Sequence, residues 1–232
     1  MESAKIKCIQ IFYANYQKSH RLDQFIPYDN SKTTTKFAES DVINSVLQDY
    51  TSNNIDFDYL GFFSWKARDK MGNHLSMEYV KNLVSNNKSV DIFGHKQIFF
   101  NEFHCLRDIH AGSSLWNTMD NVLWDIGYNS RSEISLTNEM RPIYCNHFVA
   151  KRKVWLDFYK NLFSPFLNLL KTNRRYIALS SKRLNDYQCA VPWNFQRFTG
   201  FNYWPIAPFL MERLINVYIE KNKKSLKLKY LL

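Results

Sequence analysis

The sequence is poor in glycine, which accounts for only six of its 232 residues. None of the six falls in the G-x-x-x-x-G-K-[S/T] pattern that cradles phosphates in P-loop proteins, or in the G-x-G-x-x-G pattern of Rossmann folds. The G-x-S-x-G and H-E-x-x-H motifs of common hydrolases are also absent. These absences argue against P-loop ATPases, nicotinamide-dependent dehydrogenases and the two commonest classes of hydrolase.

Cysteine and long apolar segments are also scarce. The four cysteines are far apart and form no C-x-x-C pair, so we expect neither a disulfide framework nor a zinc site. The apolar runs, such as residues 166–170, are much shorter than the roughly 20 residues that cross a bilayer. The first residues lack the cleavage pattern of a signal peptide. We therefore expect a soluble, cytoplasmic protein.

The residues that are abundant indicate a folded chain with anionic partners. Hydrophobic residues make up 45% of the sequence and aromatic residues 16%, and the length suits a single domain over residues 1–232. The net charge of +10 favours nucleotide phosphates, nucleic acid or a membrane surface as partners. Five lysines fall in a basic tail that starts at about residue 221. We interpret the tail as a solvated helix end, with peripheral contact to the inner face of a membrane as the alternative.

Hydrophobic periodicity predicts alternating strands and helices. Predicted strands cover residues 5–13, 55–65, 90–93 and 143–149. Predicted helices cover residues 39–50, 76–86, 113–126 and 153–170, the last interrupted at residues 164–165, and a further helix begins at the prolines after residue 204. Residues 14–36 are predicted to form a long polar loop. This order predicts an α/β fold, with helices on both faces of one sheet.

Lone polar residues inside two apolar segments are the leading site candidates. Asn146 lies in an apolar predicted strand, and Glu212 lies in an apolar helix beside Arg213. A carboxylate in such surroundings requires a partner or a function, and general base is one such function. On the same helix, Asn216 and Glu220 follow Glu212 at four-residue intervals, which predicts one polar face.

Further candidates lie at the ends of predicted strands. Ser64, Trp65 and Lys66 end the second strand, where α/β sheets gather their ligands, and a lysine there is able to neutralise a diphosphate without metal. Tyr13 ends the first strand, before the long loop.

Two weaker signals concern metal ions. Asp56 and Asp58 have the D-x-D spacing that binds a divalent cation in many nucleotide-sugar transferases, but they precede their strand, which favours a turn role. His104 and Asp108 are a second pair, four residues apart, for which ordinary polar contacts are favoured over a metal.

Three segments together resemble bacterial glycosyltransferase-like proteins of capsular and exopolysaccharide gene clusters. They are YCNHFVAKR at residues 144–152, FLMERLINVY at residues 209–218 and DYLGFFSWK at residues 58–66. The resemblance implies a GT-A-like fold, with a mostly parallel sheet that binds a nucleotide sugar at the strand ends. It implies transfer of the sugar to a glycan or lipid-linked hydroxyl acceptor in surface polysaccharide synthesis.

The resemblance also implies roles for individual residues. Asn146 is expected to border the sugar pocket and Glu212 to contact sugar hydroxyls as the catalytic residue, with Arg213 beside it. Related sequences often carry His and Arg where this chain has Ser64, Trp65 and Lys66. With no well-placed D-x-D, a requirement for Mn²⁺ or Mg²⁺ stays open. A catalytically inactive glycosyltransferase-like protein and a nucleic-acid-binding module are the alternatives, although we do not expect nucleic acid as a partner.

Overall fold

The computed structural model describes residues 4–96, 113–128, 143–183, 196 and 200–231. Its centre is a six-stranded sheet in the order β2-β1-β3-β5-β4-β6. The strands are β1 (Ile6–Phe12), β2 (Ile26–Asp29), β3 (Tyr59–Ser64), β4 (Ile92–Lys96), β5 (Ile143–Lys151) and β6 (Leu228–Leu231). The candidate pair His104 and Asp108 lies outside the described residues.

The sheet is mostly parallel, as predicted. β1 pairs in parallel with β2 and β3, and β4 pairs in parallel with β6. β5 is antiparallel to both of its neighbours, β3 and β4. The other five strands therefore run in one direction, and β5 alone runs against them.

Helices cover both faces of this sheet, which confirms the predicted architecture. They are α1 (Glu39–Ser52), α2 (Ala67–Met71), α3 (Met77–Asn86), α4 (Ser113–Asp125), α5 (Arg152–Phe158), α6 (Ser164–Thr172), α7 (Arg174–Ser180), α8 (Ala207–Glu212) and α9 (Leu214–Lys221). Alternate strand residues separate into two cores. Phe62 joins one core with α1 and α5, whereas Phe63 joins the other with α2 and α3. Within the described residues, no helix is both long enough and apolar enough to cross a bilayer.

The long loop predicted for residues 14–36 contains more structure than expected. A 3₁₀ helix covers Asn15–His20, and β2 then adds an edge strand to the sheet. β2 is short and largely exposed, and it contains Pro27, so its sequence lacks the alternation of a half-buried strand. Gln10 fixes the loop from within, because its buried side chain donates to His20 O and accepts from Leu22 N.

The predicted break at Ser164–Pro165 is a widening of one continuous helix. Tyr159–Phe163 forms a turn of π-helix between α5 and α6. Proline lacks an N–H group and crowds the carbonyl one turn before it, and the wider π-turn accommodates both effects.

The basic tail is partly incorporated into the sheet, which corrects its interpretation as a helix end. After α9 the chain turns and forms β6 beside β4. Lys227 N donates to the carboxylate of Asp91, and Lys229 Nζ donates to Asn87 Oδ1. These contacts attach the tail to the body of the domain.

The predicted polar face of the last helix is wrong. The helix breaks at Arg213 into α8 and α9, and every residue from Leu214 to Glu220 is buried. Asn216 Oδ1 accepts from Ile143 N at 2.8 Å, and Asn216 Nδ2 donates to Ile143 O at 3.0 Å. Asn216 thus completes the backbone hydrogen bonding at the start of β5, which a periodicity argument does not detect.

We expect Asn216→Ala to lower the free energy of unfolding by about 2–4 kcal/mol, because it leaves two buried backbone groups of Ile143 without their partner. Denaturant unfolding measures the change. Asn168→Ala, at an exposed position of α6, is the matched control and should stay within about 0.5 kcal/mol of the wild type. Equal effects of the two substitutions would contradict a structural role for the Asn216 amide.

Candidate functional site

A strained bulge in β5 presents Asn146. Residues 144–147 lie opposite His95 alone, since Ile143 pairs with Lys96 and Phe148 pairs with Gly94. Cys145 and Asn146 have φ angles of 56° and 55°, in the left-handed region that costs a non-glycine residue about 1–3 kcal/mol. Asn146 is only 4% exposed.

Glu212 and Arg213 occupy the break between α8 and α9, and both helices pack against β5. Glu212 is partly exposed, whereas Arg213 is buried. Arg213 Nη1 donates to Phe209 O at 2.7 Å, which holds the guanidinium beside α8. Burial raises the pKa of Glu212, and the positive charges of Arg213 and Lys70 oppose that rise.

Two charged residues that the sequence did not single out join this site. Glu39 opens α1, which packs against α8, and Lys70 lies in α2, beyond the carboxyl end of β3. Lys70 Nζ lies 3.0 Å from Cys145 Sγ, next to Asn146. Burial raises the pKa of Glu39 to about 7, with a further contribution from the charge of Glu212.

Electrostatic interactions relate Lys70 to the other side chains of this site, and the region that they share at the carboxyl edge of the sheet is termed the cleft. Burial acts to lower the pKa of Lys70, but the Cys145 sulfur, which accepts a hydrogen bond from the ammonium, and the charges of Glu39 and Glu212 raise it, so the ammonium stays charged. Burial raises the pKa of Cys145 to about 12, which keeps it a thiol at neutral pH. The Glu212 charge acts on Cys145 as well, and Cys145 is the neighbour of Asn146 in the chain.

Tyr13 lies at the same cleft, after the end of β1. Burial raises the pKa of its phenol well above the ordinary value, and the charges of Glu39, Glu212 and Asp41 add to the effect. Tyr13 is therefore within the electrostatic influence of Glu39 and Glu212, and its role in a site stays a prediction. The phenol is neutral at physiological pH, and its ring packs against the hydrophobic core.

Ser64 is buried at the end of β3 and is bound to β5. Its N–H donates to His147 Nε2 at 3.2 Å, and its hydroxyl lies 3.1 Å from the same nitrogen. Burial lowers the pKa of His147 well below its ordinary value, with help from Lys70 and His95. Ser64 therefore joins β3 to β5 through the neutral imidazole of His147, which belongs to the bulge.

Trp65 and Lys66 form a separate group with the 3₁₀ helix. The Trp65 ring contacts Tyr16 and His20 edge-on, at centroid distances of 5.9 and 5.1 Å. Lys66 Nζ lies 4.9 Å from the centroid of the Trp65 ring. No described contact joins these two residues to Glu212 or Asn146, so only their position at the carboxyl end of β3 relates them to the cleft.

Asp56 and Asp58 lie at the opposite end of β3. Lys5 Nζ pairs with Asp56 at 2.5 Å, and Arg152 pairs with it at 3.2 Å. Asp58 accepts a hydrogen bond from Lys5 N at 2.7 Å. Both aspartates thus join the amino ends of β1 and β3, away from the cleft. In the part of the chain that the structure describes, no group of three His, Cys, Asp or Glu side chains is arranged to hold a metal ion.

Comparison with known proteins identifies the fold. The fold of this chain matches a solved structure described as the bifunctional glycosyltransferase WbbM, in its apo form, with a TM-score of 0.56 and 15% sequence identity. The match covers 97% of this chain and 44% of WbbM, so this chain spans less than half the length of its structural relative. The chain has a glycosyltransferase-like fold. No family model and no curated protein sequence matches it significantly.

Within this glycosyltransferase-like fold, the site gathers residues from five separate elements. Tyr13 follows β1, Glu39 opens α1, Lys70 lies in α2, Asn146 lies in β5 and Glu212 ends α8. Glu39 and Lys70 were missed because each lies in a segment rich in charged residues, where a solvent-exposed role is the usual expectation. Their positions after parallel strands were the available signal, since ligands bind at the carboxyl edge of such sheets.

Proposed function

We propose that this protein transfers a sugar from a nucleotide-sugar donor to a hydroxyl acceptor. The observation that carries the proposal is the interaction of the Glu212 carboxylate with Arg213 and Lys70 at the carboxyl edge of a glycosyltransferase-like sheet. Glycosyl transfer needs a base for the acceptor and positive charge for the leaving group, and this cleft offers both.

In the proposed reaction, the acceptor hydroxyl attacks the anomeric carbon of the donor sugar. The new carbon–oxygen bond forms as the bond to the diphosphate breaks, and the diphosphate leaves with the electron pair. Glu212 accepts the proton of the acceptor hydroxyl, and the Lys70 ammonium stabilises the departing negative charge. Asn146 and Arg213 supply hydrogen-bond donors to the sugar, while Tyr13 closes the cleft beside β1.

The remaining assignments extend the same proposal. Lys66 and Trp65 continue the donor site along the carboxyl end of β3, with the Trp65 ring available for stacking. Ser64 supports this edge through His147. The structural relative is described as a glycosyltransferase, which supports sugar transfer in general. The proposal goes further and assigns a GT-A-like role in surface polysaccharide synthesis, with a glycan or lipid-linked acceptor. Exposed lysines of the tail, such as Lys224, offer contact with the inner membrane surface. At the donor site, a divalent cation is the alternative to lysine as the partner of the diphosphate.

A thermal-shift screen with UDP-, GDP-, dTDP- and CMP-sugars, each with and without Mn²⁺, tests the proposal, because a ligand that binds the native state stabilises it by mass action. We expect one nucleotide class to raise the melting temperature. Lys70→Met should reduce that shift, whereas Lys88→Met, at an exposed position after α3, should preserve it. No shift with any donor, together with salt-dependent binding to random oligonucleotides, would favour nucleic-acid binding instead.

A further inference from the structure

Positive charge is concentrated at the edge of the sheet opposite the cleft. β1, β3, β4 and β6 begin at this edge, and the antiparallel β5 ends there. Within four residues of these five strand ends, the described part of the chain has seven cations and three carboxylates. We term this surface the basic edge, and its cations are Lys5, Lys88, Lys151, Arg152, Lys153, Lys224 and Lys227.

The carboxylates at the basic edge hold the cations in place without neutralising them. Asp56 pairs with two cations, Lys5 Nζ at 2.5 Å and Arg152 Nη1 at 3.2 Å. Asp91 Oδ1 likewise lies 3.1 Å from the Nζ atoms of the two lysines that flank Arg152. Each of these two carboxylates therefore leaves one positive charge in excess, and the ion pairs fix the position of that charge.

The basic tail continues the same surface. Lys227 N donates to Asp91 Oδ2 at 3.1 Å, on the carboxylate whose other oxygen binds the two lysines. Lys224 and Lys227 are exposed, and the side chains of Lys5 and Lys153 are 59% and 71% exposed. These ammonium groups are therefore accessible to a partner.

The shape of the basic edge fits a flat anionic surface. Five neighbouring strand ends at a spacing of about 4.8 Å place the cations along a line of roughly 20 Å. None of the large exposed apolar side chains among the described residues lies within four residues of these strand ends. Single-stranded nucleic acid binds to aromatic rings, and a duplex admits a helix or a strand pair into its groove. An anionic membrane needs only exposed cations close to its surface.

We propose that the basic edge docks this protein on a membrane rich in anionic lipids. The docking surface extends beyond the tail, because it joins the tail to the amino end of β1 and to the junction of β5 with α5. The cleft lies at the opposite edge of the sheet, so a docked molecule directs the cleft away from the lipid headgroups. This docking is independent of the proposed sugar transfer.

Sedimentation with lipid vesicles tests the proposal and needs no sugar donor. The full chain is mixed with vesicles of phosphatidylcholine alone, or of phosphatidylcholine with about 30% phosphatidylglycerol, in about 0.1 M salt. We expect the wild type to sediment with the anionic vesicles only. Most of this binding should be lost in about 1 M salt, because the Debye length falls from about 10 Å to about 3 Å.

A triple variant, Lys153→Gln/Lys224→Gln/Lys227→Gln, removes exposed charges of the basic edge. It keeps the backbone N–H that binds Asp91. The variant should bind anionic vesicles on the order of 100-fold more weakly than the wild type, at about fivefold for each lysine. If it does not fold, as judged by circular dichroism, the double variant Lys224→Gln/Lys227→Gln measures the same surface, with an expected loss of about 25-fold.

The matched control, Lys18→Gln/Lys32→Gln/Lys160→Gln, makes the same change in net charge at exposed positions away from the basic edge. It should bind anionic vesicles within about threefold of the wild type, because charges farther than a Debye length from the membrane are screened. Equal losses by the two triple variants would overturn the proposal, as would equal binding to phosphatidylcholine alone or no binding of the wild type to anionic vesicles. Salt-dependent binding to random oligonucleotides, lost in the basic-edge variant while no vesicle binds, would assign the surface to nucleic acid instead.

Discussion

The Glu212→Gln variant should lose about 10²–10⁴-fold in kcat while its KM for the donor changes by only a few fold. Glutamine preserves the size of the side chain and its hydrogen bonding to sugar hydroxyls, but its amide does not accept the acceptor proton. With the donor identified by the thermal-shift screen, release of nucleoside diphosphate measures the rate, with water or a glycan as the acceptor.

Glu78→Gln is the control for this prediction, because it makes the same chemical change at an exposed position on α3. It should leave kcat unchanged. A Glu212→Gln variant that keeps kcat within about threefold of the wild type would exclude Glu212 as the base. A large rise in KM at constant kcat would instead indicate that Glu212 contributes binding alone.

The pH profile of the wild-type enzyme supplies a further readout of the same residue. Burial raises the pKa of Glu212 above the ordinary 4.5, although Arg213 and Lys70 oppose the rise. Because the base must be ionised, activity should fall as the pH decreases through this raised pKa. The acid limb of kcat should therefore lie above pH 4.5 in the wild type and be absent from the residual activity of Glu212→Gln.

Local pattern predicted much of the fold. β1 and α1 have clear periodicity, and β3 is a continuous apolar run whose six residues are all buried. Ser76 caps α3 by accepting from Tyr79 N at 3.1 Å, as its position before an amphipathic segment indicates. β2 and β6 are edge strands of four residues each, and their identity depends on the neighbouring strand rather than on their own sequence. The direction of β5 is likewise a property of the whole sheet.

The candidate site shows the same division between local and global information. Asn146 and Glu212 are polar residues in apolar segments, so composition alone indicated them. Glu39 and Lys70 acquire significance only when α1 and α2 bring them beside Glu212 and Cys145, which no local pattern records. The separation of Asp56 from the cleft, by contrast, follows from its position before β3, as the sequence suggested.

Trp155 is the central packing residue of the core that supports the site. Its side chain is 1% exposed, and its indole Nε1 donates to Leu60 O in β3 at 2.7 Å. The indole stacks on Phe148 of β5 at a centroid distance of 4.6 Å and contacts Phe62 edge-on at 5.2 Å. A single side chain on α5 thus contacts both β3, which ends at Ser64, and β5, which carries Asn146.

We expect Trp155→Ala to lower the free energy of unfolding by about 3–5 kcal/mol, because it leaves a large cavity beneath β3 and β5. That loss is a large share of the roughly 5–15 kcal/mol that stabilises a typical domain. Trp155→Phe keeps an aromatic ring for stacking but leaves the Leu60 carbonyl without its donor, so it should cost about 1–3 kcal/mol. Denaturant unfolding followed by circular dichroism measures both values.

Trp124→Ala is the matched control, since Trp124 is 62% exposed on α4. Its effect should stay within about 0.5 kcal/mol, because an exposed ring gives up little burial on truncation. If Trp155→Ala does not yield soluble protein, Trp155→Phe still tests the indole hydrogen bond. A Trp155→Phe variant as stable as the wild type would show that the bond from Nε1 to Leu60 O contributes nothing, and would assign the stabilisation to ring packing alone.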